Sequence, residues 1–296
     1  MGPFPFRERP YACVMSMSGP VSDRQPETAS NEAGVERPLR AAAFFDIDNT
    51  LLRGASLYYL ARGLAARNLV SWRQIIRYAW KQWKFLTSGK EHVKDLKFVT
   101  ETSMTFIAGR EQALMLDVCR NTIDELMLSK LWPGTVRIAQ AHLTLGQEVW
   151  LVTAAPNDLA RMLAERLGLT GGMGTCAEVL DGRYTGHIVG ATMHGRAKAE
   201  AIQRIAAQRG LDLAASTAYS DSSNDLPMLR AVGNPVAVNP DGALRRVARR
   251  NGWLIMEYRR SRFWRDNSIP GNPNVAVGAG IAAGLAVAAL EKKRRN

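Results

Sequence analysis

The chain has 296 residues, of which 46% are hydrophobic and 22% are charged. This composition can bury a large core and excludes a chain that is disordered throughout. The three cysteines and four histidines show no metal-ligand spacing, which argues against a zinc site. The net charge of +12 favours an anionic partner, for which a phosphorylated substrate, a membrane surface and nucleic acid are the candidates.

The first 39 residues mix Pro, Ser, Glu and Arg without an apolar run. Such a segment buries too little apolar surface to fold, so we predict a disordered extension over residues 1–39. A secretory signal needs an apolar stretch of about 7–15 residues, and none is present there. We therefore expect a cytoplasmic protein.

Short apolar runs alternate with helical periodicity along most of the remaining chain. Strands that alternate with helices imply an α/β fold, a doubly wound parallel sheet with a Rossmann-like core. We expect this catalytic core to comprise residues 40–55 and 131–260. The strands are predicted at residues 41–47, 148–153, 217–220 and 235–238, with a hairpin at 175–187.

Helical sequence fills the interval between the first two predicted strands. Because this block interrupts the core, we interpret residues 56–130 as an inserted helical cap domain. Residues 71–86 carry Trp and Ile on one helical face and Arg and Lys on another. We interpret the apolar face as packed within the cap, and binding to anionic lipid is the alternative. The predicted cap helices cover residues 56–67, 71–86, 90–107 and 111–128.

Two carboxylates follow the first predicted strand, in the sequence Phe45-Asp-Ile-Asp-Asn-Thr50. Burying two acids at the end of an apolar strand is unfavourable unless they bind a cation or take part in catalysis. Ionised Asp46 can attack phosphorus, while Asp48, whose pKa its neighbour raises, can hold a proton for the leaving oxygen. The pattern alone is weak, because a polar turn that caps a helix has the same residues.

Three further segments supply polar groups, and two of them follow a predicted strand. Thr153 ends an apolar strand, where a helix cap is the alternative role. Lys198 could hold a phosphate oxygen, although a lone lysine on a helix is usually exposed. The third segment offers the one or two carboxylates that Mg²⁺ takes in proteins. Its polar residues are Asp221, Asn224 and Asp225.

These four segments, in this order and spacing, resemble the haloacid dehalogenase-like hydrolase superfamily, subfamily IB, in its phosphoserine phosphatase-like branch. The match extends over residues 40–256, roughly three quarters of the chain. The resemblance implies a Mg²⁺-dependent phosphomonoester hydrolase that works through a phospho-aspartate. It implies that Asp46 is the nucleophile and that Asp48 is the general acid and base.

The same resemblance implies the ligands of the phosphate and of the metal. Thr153, Lys198 and Asn224 would bind the phosphoryl group. Mg²⁺ would be held by Asp46, by the backbone carbonyl of Asp48 and by Asp221, with Asp225 ordering its water shell. Positive charge is needed because an anionic nucleophile has to approach an anionic phosphate.

The chain departs from this branch next to the first motif. Amino-acid phosphatases of the branch carry a glutamate a few residues past the threonine, and it holds the substrate ammonium. Here residues 51–90 contain eight basic residues and no acidic one, although Glu91, Asp95 or Glu101 could supply an anion. We expect a small-molecule or lipid-linked phosphate monoester without an ammonium near the phosphate, and the identity of the substrate stays open.

Residues 261–296 form a basic tail with a short apolar segment at 275–290. A helix over those sixteen residues would be about 24 Å long, shorter than the ~30 Å hydrocarbon core of a bilayer. Gly280 and Gly284 have the spacing of packed membrane helices. A docked helix, a frayed tail and association with an anionic membrane surface all stay open.

Three functions are compatible with the sequence. The first is a phosphatase, and the second is a phosphotransferase that passes the Asp46 phosphoryl group to an alcohol. The third is a non-catalytic basic module for membrane or nucleic acid. The third is disfavoured because every catalytic position is occupied, and no nucleic-acid motif accompanies the basic stretches, so we expect no specific nucleic-acid partner.

Overall fold

The computed structural model of the chain describes residues 40–70 and 107–259. Four predictions fall outside these residues: the extension over 1–39, the amphipathic helix at 71–86, the cap helix at 90–107 except for its last residue, and the apolar segment at 275–290. Within the described parts of the chain, no helix is both long enough and apolar enough to cross a membrane.

A central sheet forms the core of the described residues. Its strands are β1 (Ala42–Phe45), β2 (Glu148–Pro156), β3 (Gly171–Thr175), β6 (Thr217–Ser220), β7 (Asn234–Val238) and β8 (Leu254–Met256). They lie in the order β3-β2-β1-β6-β7-β8, and every pairing is parallel, which confirms the predicted α/β core. Strands β4 (Ala177–Leu180) and β5 (Arg183–Ile188) form an antiparallel hairpin, also as predicted.

Helices pack on both faces of this sheet. The helices on the sheet are α3 (Pro133–Thr144), α4 (Asn157–Arg166), α5 (Arg196–Arg209), α6 (Leu226–Arg230) and α7 (Gly242–Arg250). Helices α1 (Ser56–Ala66) and α2 (Gln112–Thr122) pack against each other instead. Successive residues of a strand point to opposite faces. Phe44 of β1 accordingly packs in a cluster with Ile202 of α5, whereas Phe45 packs in a second cluster with Leu159 of α4. The sheet is therefore doubly wound.

Strand β3 is missed by the sequence patterns, because its Gly-Gly-Met-Gly-Thr sequence is glycine-rich and glycine is depleted in strands. The packing explains the glycines. A Cβ on Gly172 would lie 2.3 Å from the Ala160 carbonyl oxygen, and one on Gly171 would lie 2.4 Å from the Trp150 ring. Glycine lets α4 lie directly against this strand.

The helix predicted over residues 111–128 is interrupted in the structure. Helix α2 ends at Thr122 and is followed by a π-helical turn, Ile123–Met127, and a 3-10 turn, Leu128–Lys130. Helix α2 packs closely on α1, since a Cβ on Gly63 would lie 2.0 Å from Thr122 Oγ1. The described part of the predicted cap is thus helical, and the cap boundaries at 56 and 130 stay a prediction.

Candidate active site

The predicted nucleophile lies where strand β1 ends. Asp46 is 5% exposed, and its backbone N–H donates to the Tyr219 carbonyl of β6 at 2.9 Å. This bond continues the ladder past the end of β1, so Asp46 lies at the carboxyl edge of the sheet, where open α/β folds bind ligands. Thr50 Oγ1, from the same motif, lies 3.5 Å from Asp46 Oδ2.

Lys198, in the first turn of α5, joins two carboxylates and is only 3% exposed. Its Nζ donates to Asp46 Oδ1 at 2.6 Å and to Asp225 Oδ2 at 2.7 Å. Burial alone would lower the pKa of Lys198, but the two carboxylates outweigh burial and raise it, so the lysine stays charged. Burial raises the pKa of Asp46 well above its ordinary value, and Lys198 acts in the opposite direction.

Asp48 lies in the turn that follows the nucleophile. The Leu51 N–H donates to the Ile47 carbonyl at 3.0 Å and closes this turn. The backbone N–H of Ser56, at the start of α1, donates to Asp48 Oδ1 at 2.8 Å. Burial raises the pKa of Asp48 and the hydrogen bonds from Ser56 oppose this shift. A raised pKa suits a group that has to deliver a proton near neutral pH.

The loop after β6 carries the two remaining acids. Ser220 Oγ donates to Asp225 Oδ2 at 2.8 Å, the oxygen that also accepts from Lys198. Asp221 is partly buried, and its Oδ2 lies 3.5 Å from the Arg259 guanidinium. Burial raises the pKa of Asp221 to about 7, against the effect of Arg259. The cation of Asp221 is thus farther away, at 3.5 Å, than the Lys198 ammonium is from Asp46 and Asp225, at 2.6 and 2.7 Å.

Thr153 and Asn224, the predicted phosphate ligands besides Lys198, lie at the same edge of the sheet. Thr153 is buried in β2, two residues past the partner of Phe45 in the ladder, and is therefore level with the turn that contains Asp48. Asn224 is exposed in the 3-10 turn Ser223–Asp225. Both residues thus lie in elements that reach the same edge of the sheet as the carboxylates, and contact of their side chains with phosphate stays a prediction.

Asn239 connects the loops of the site and is missed by the motifs. It is 1% exposed and adopts a left-handed backbone with φ +47°, which asparagine tolerates better than most residues. Its Nδ2 donates to the Asn49 carbonyl at 3.2 Å, and its Oδ1 accepts from the Tyr258 N–H at 2.7 Å and from the Arg259 N–H at 3.1 Å. Asn239 therefore links the turn after β1 to the segment after β8.

Asp241 is a second residue that the motifs miss. It caps α7 by accepting from the Leu244 N–H at 2.7 Å, and it accepts from the Ser223 N–H at 2.7 Å. Its own N–H donates to the Asp221 carbonyl at 2.8 Å, so it holds the loop that carries the acids. The signal that could have found both residues is the polar Asn-Pro-Asp sequence at 239–241, directly after a predicted strand.

The chemistry of this edge fits a hard cation. Burial is the largest cause of the raised pKa of Asp46, Asp48 and Asp221, so positive charge among them would stabilise their ionised forms. No three His, Cys, Asp or Glu side chains within residues 40–70 and 107–259 form a complete metal cage. Mg²⁺ does not need one, because it takes one or two carboxylates and completes its shell with water and substrate oxygens.

Comparison with known proteins agrees with this site. The sequence model for the haloacid dehalogenase-like hydrolase family matches residues 43–230, a span that contains every predicted site residue. The phosphoserine phosphatase SerB1 of Mycobacterium tuberculosis is 43% identical over 286 residues, which cover 95% of this chain and 88% of that protein.

Solved structures show the same fold. A protein with unknown function from Bordetella pertussis is 28% identical and has a TM-score of 0.67, and the match covers 74% of this chain and 98% of that one. A phosphoserine phosphatase in its apo form is 19% identical with a TM-score of 0.53, and the match covers 74% of this chain and 94% of that one.

Proposed function

The chain belongs to the haloacid dehalogenase-like hydrolases and is a phosphatase, and we propose that it hydrolyses small phosphate monoesters through a phospho-aspartate on Asp46 with Mg²⁺ as cofactor. The observation that carries the proposal is the buried chain Asp46–Lys198–Asp225, with contacts of 2.6 and 2.7 Å. A lysine held between two carboxylates keeps its charge beside the nucleophile. That charge is what an anionic nucleophile needs to approach an anionic phosphate.

In the first step, a carboxylate oxygen of Asp46 attacks phosphorus, and the bond between phosphorus and the leaving oxygen breaks. Asp48 gives its proton to that oxygen, so an alcohol leaves and Asp48 becomes a carboxylate. The phosphoryl group is then bonded to Asp46. Lys198 contacts the attacking group throughout and offsets the charge that develops on the phosphoryl oxygens.

In the second step, water attacks the phosphorus of the phospho-aspartate. Asp48, now ionised, takes a proton from that water, and phosphate leaves as the Asp46 carboxylate is restored. One residue thus serves as acid and then as base. Asp48 suits both roles because burial raises its pKa while Ser56 opposes the shift.

Mg²⁺ would be held by the carboxylates of Asp46 and Asp221 and by the backbone carbonyl of Asp48. When bound, it supplies positive charge that reduces repulsion between the nucleophile and the phosphate. Asp221 is partly buried, and Arg259 lies 3.5 Å from its Oδ2, a longer contact than those of Lys198, so this carboxylate is the one least occupied by a protein cation among the ion-paired acids of the site. Asp225 is used by Lys198 and Ser220, so its part in the metal site would be through the water shell.

For the substrate, we propose a phosphate monoester without an ammonium close to the phosphate. The loop between Asp48 and Ser56 contains Arg53 and no acid. Arg53 is exposed, and its guanidinium lies 4.5 Å from the centroid of the Trp132 ring. A cationic leaving group would meet like charge there, whereas a neutral or anionic one would not.

The substrate proposal is tested with two esters that differ only in the ammonium, phosphoserine and 3-phosphooxypropanoate. We expect kcat/KM to be about tenfold higher for the second, which corresponds to about 1.4 kcal/mol of transition-state preference. A tenfold preference for phosphoserine would mean that the enzyme supplies its own anion for the ammonium.

The catalytic proposal is tested with Asp46→Asn. The amide keeps the shape of the side chain but lacks the nucleophilic charge, so we expect kcat to fall at least about a thousandfold while the thermal unfolding curve stays cooperative. Asp117→Asn, the same change at an exposed acid of α2, is the matched control and should keep full activity. An Asp46→Asn enzyme within tenfold of the parent would contradict the mechanism.

A further inference from the structure

Helix α1 begins next to Asp48, the proposed general acid of the active site. Its N-cap residue, Ala55, has no side chain that could accept from the free N–H groups of the first turn. The N–H of the first helical residue, Ser56, donates instead to Asp48 Oδ1 at 2.8 Å. The side-chain oxygen that a helix start usually receives from its own N-cap residue is here provided by Asp48, a residue of the catalytic turn.

The burial of Ser56 also bears on its relation to the Asp48 carboxyl group. Ser56 is fully buried, and its hydroxyl makes no hydrogen bond of ordinary geometry among the described residues, although it lies close enough to Asp48 to help lower the pKa of that acid. Within its own first turn, α1 carries no acid that could compete for these donors. The buried polar groups at this helix end therefore have the Asp48 carboxyl group as their neighbour.

Helix α1 is also held in place. The absence of a side chain at Gly63 lets it lie directly against Thr122 of α2, where a Cβ would come within 2.0 Å of the hydroxyl oxygen. Tyr59 donates its hydroxyl to the Arg53 carbonyl at 2.7 Å, which ties the helix to the loop before it. The donor at Ser56 is thus presented to Asp48 from a fixed position.

We propose that Ser56 is a positioning residue, whose N–H occupies Oδ1 of Asp48 so that Oδ2 is the atom that exchanges the proton. Oδ2 then gives its proton to the leaving oxygen as the phosphorus–oxygen bond breaks, and it later takes one from the attacking water. This inference rests on the phospho-aspartate mechanism proposed above. It adds a residue from the first inserted helix to the machinery of the core.

Misplacement of Asp48 would have a kinetic consequence that loss of a purely structural contact of Ser56 would not have. If Asp48 is misplaced, the rate falls only for substrates whose leaving oxygen needs a proton. An alkyl phosphate needs one, because an alkoxide is a poor leaving group, whereas p-nitrophenolate leaves without protonation. The kinetic constant kcat/KM reports the steps up to departure of the leaving group, so it isolates this proton transfer.

The test variant is Ser56→Pro, which removes the N–H. Proline is accepted at the first position of a helix, and Ala55, with φ −97° and ψ 130°, already has a conformation that is allowed before proline. We expect kcat/KM for glycerol phosphate to fall about 100-fold or more, the usual contribution of a general acid. For p-nitrophenyl phosphate we expect a loss below about tenfold, and Asp48→Asn should show the same selectivity.

Two control variants distinguish the loss of the Ser56 N–H from other effects of the proline substitution. Ser56→Ala keeps the N–H and loses the hydroxyl, so its loss on glycerol phosphate should be below about tenfold. Gly242→Pro places a proline at the first position of helix α7, a position that is exposed and has open space around it, and should retain parent activity on both substrates. If Ser56→Pro does not fold, replacing Ser56 by glyceric acid converts the N–H to an ester oxygen without a ring, and the same selectivity is expected.

Equal losses on the two substrates, or none on either, would overturn the role of Ser56. That outcome leaves the phospho-aspartate mechanism standing as long as Asp46→Asn is inactive. Activity of Asp46→Asn within tenfold of the parent would instead remove the proposed function on which the inference rests.

Discussion

Buried charges lie at both ends of the central sheet, and the two groups can be compared directly. At the amino ends of the strands, Glu148 accepts from Arg40 at 2.8 Å, from Arg209 at 2.6 Å and from Trp150 Nε1 at 3.1 Å. We call these four residues the amino-end cluster. One carboxylate there has two guanidinium groups and an indole N–H as partners, so its charge is fully compensated.

The charges at the carboxyl ends of the strands are compensated differently. We call this group the carboxyl-end cluster, and it comprises Lys198 and the acids Asp46, Asp48, Asp221 and Asp225. Lys198 contacts two of the four carboxylates, and Arg259 lies 3.5 Å from a third. Acids therefore outnumber the cations near them among the described residues. Burying carboxylates without matching positive charge is unfavourable, and the pKa of Asp46, Asp48 and Asp221 is accordingly raised.

The difference separates a structural cluster from a functional one on the same sheet. Glu148 and Thr153 belong to the same strand and lie about 17 Å apart along it. The carboxylate of the amino-end cluster is compensated without a ligand, so we expect this cluster to contribute to folding alone. The carboxyl-end cluster retains excess negative charge, which a divalent cation can complete.

The largest effect is expected from Lys198→Met, which removes the cation between two buried carboxylates. We expect kcat to fall at least about 100-fold, because a preorganised charge beside the reacting group is lost. We also expect unfolding in the absence of Mg²⁺ to require about 3–5 kcal/mol less free energy, the usual result of breaking a buried ion pair. Both are measured by steady-state kinetics and urea denaturation.

Arg196→Ala is the matched control for Lys198→Met, because it removes an exposed cation from the same turn of α5. It should change neither quantity appreciably. Activity of Lys198→Met within threefold of the parent would mean that the lysine serves folding alone, as Arg209 does in the amino-end cluster.

A smaller effect is expected from Asp221→Ala. The variant loses one of the few carboxylates that could bind the metal directly, so we expect the Mg²⁺ concentration for half-maximal activity to rise about tenfold or more. Glu200→Ala, at an exposed acid of α5, should titrate like the parent. Superimposable Mg²⁺ titrations of Asp221→Ala and the parent would show that Asp221 is not a ligand.

The smallest effect on activity is expected from Glu148→Gln in the amino-end cluster. The amide cannot accept from two guanidinium groups and the indole as the carboxylate does, so we expect a loss of about 1–3 kcal/mol in the free energy of unfolding. The value of kcat/KM should stay within twofold of the parent. A large loss of activity without a loss of stability would end the distinction between the two clusters.

The sequence predicted the parts of this site that depend on local order. Asp46 and Asp48 follow an apolar strand, Asp221 follows another, and the carboxyl ends of parallel strands meet at one edge. The strand patterns were therefore sufficient to bring these acids together. The burial of Lys198 also agrees with its predicted role, although the helix alone would have favoured an exposed lysine.

Other features depend on distant packing and have no local pattern. The glycines of β3 weaken its strand signal, and their reason lies in the carbonyl of Ala160 on a different element. Asn239 acquires its role from Asn49, 190 residues away in the chain. Ser56 is an ordinary helix-start residue in the sequence, and only the structure shows that its N–H meets Asp48.

The measurement that tests the central claim most directly is capture of the phosphoryl group on the enzyme. The parent and Asp46→Asn are mixed with radiolabelled p-nitrophenyl phosphate and Mg²⁺, quenched in acid within one turnover, and the labelled peptide is identified by mass spectrometry. The mechanism predicts label on Asp46 alone, formed as fast as p-nitrophenolate, removed by hydroxylamine as an acyl phosphate should be, and absent from Asp46→Asn. Release of p-nitrophenolate without label, or label on another residue, would contradict it.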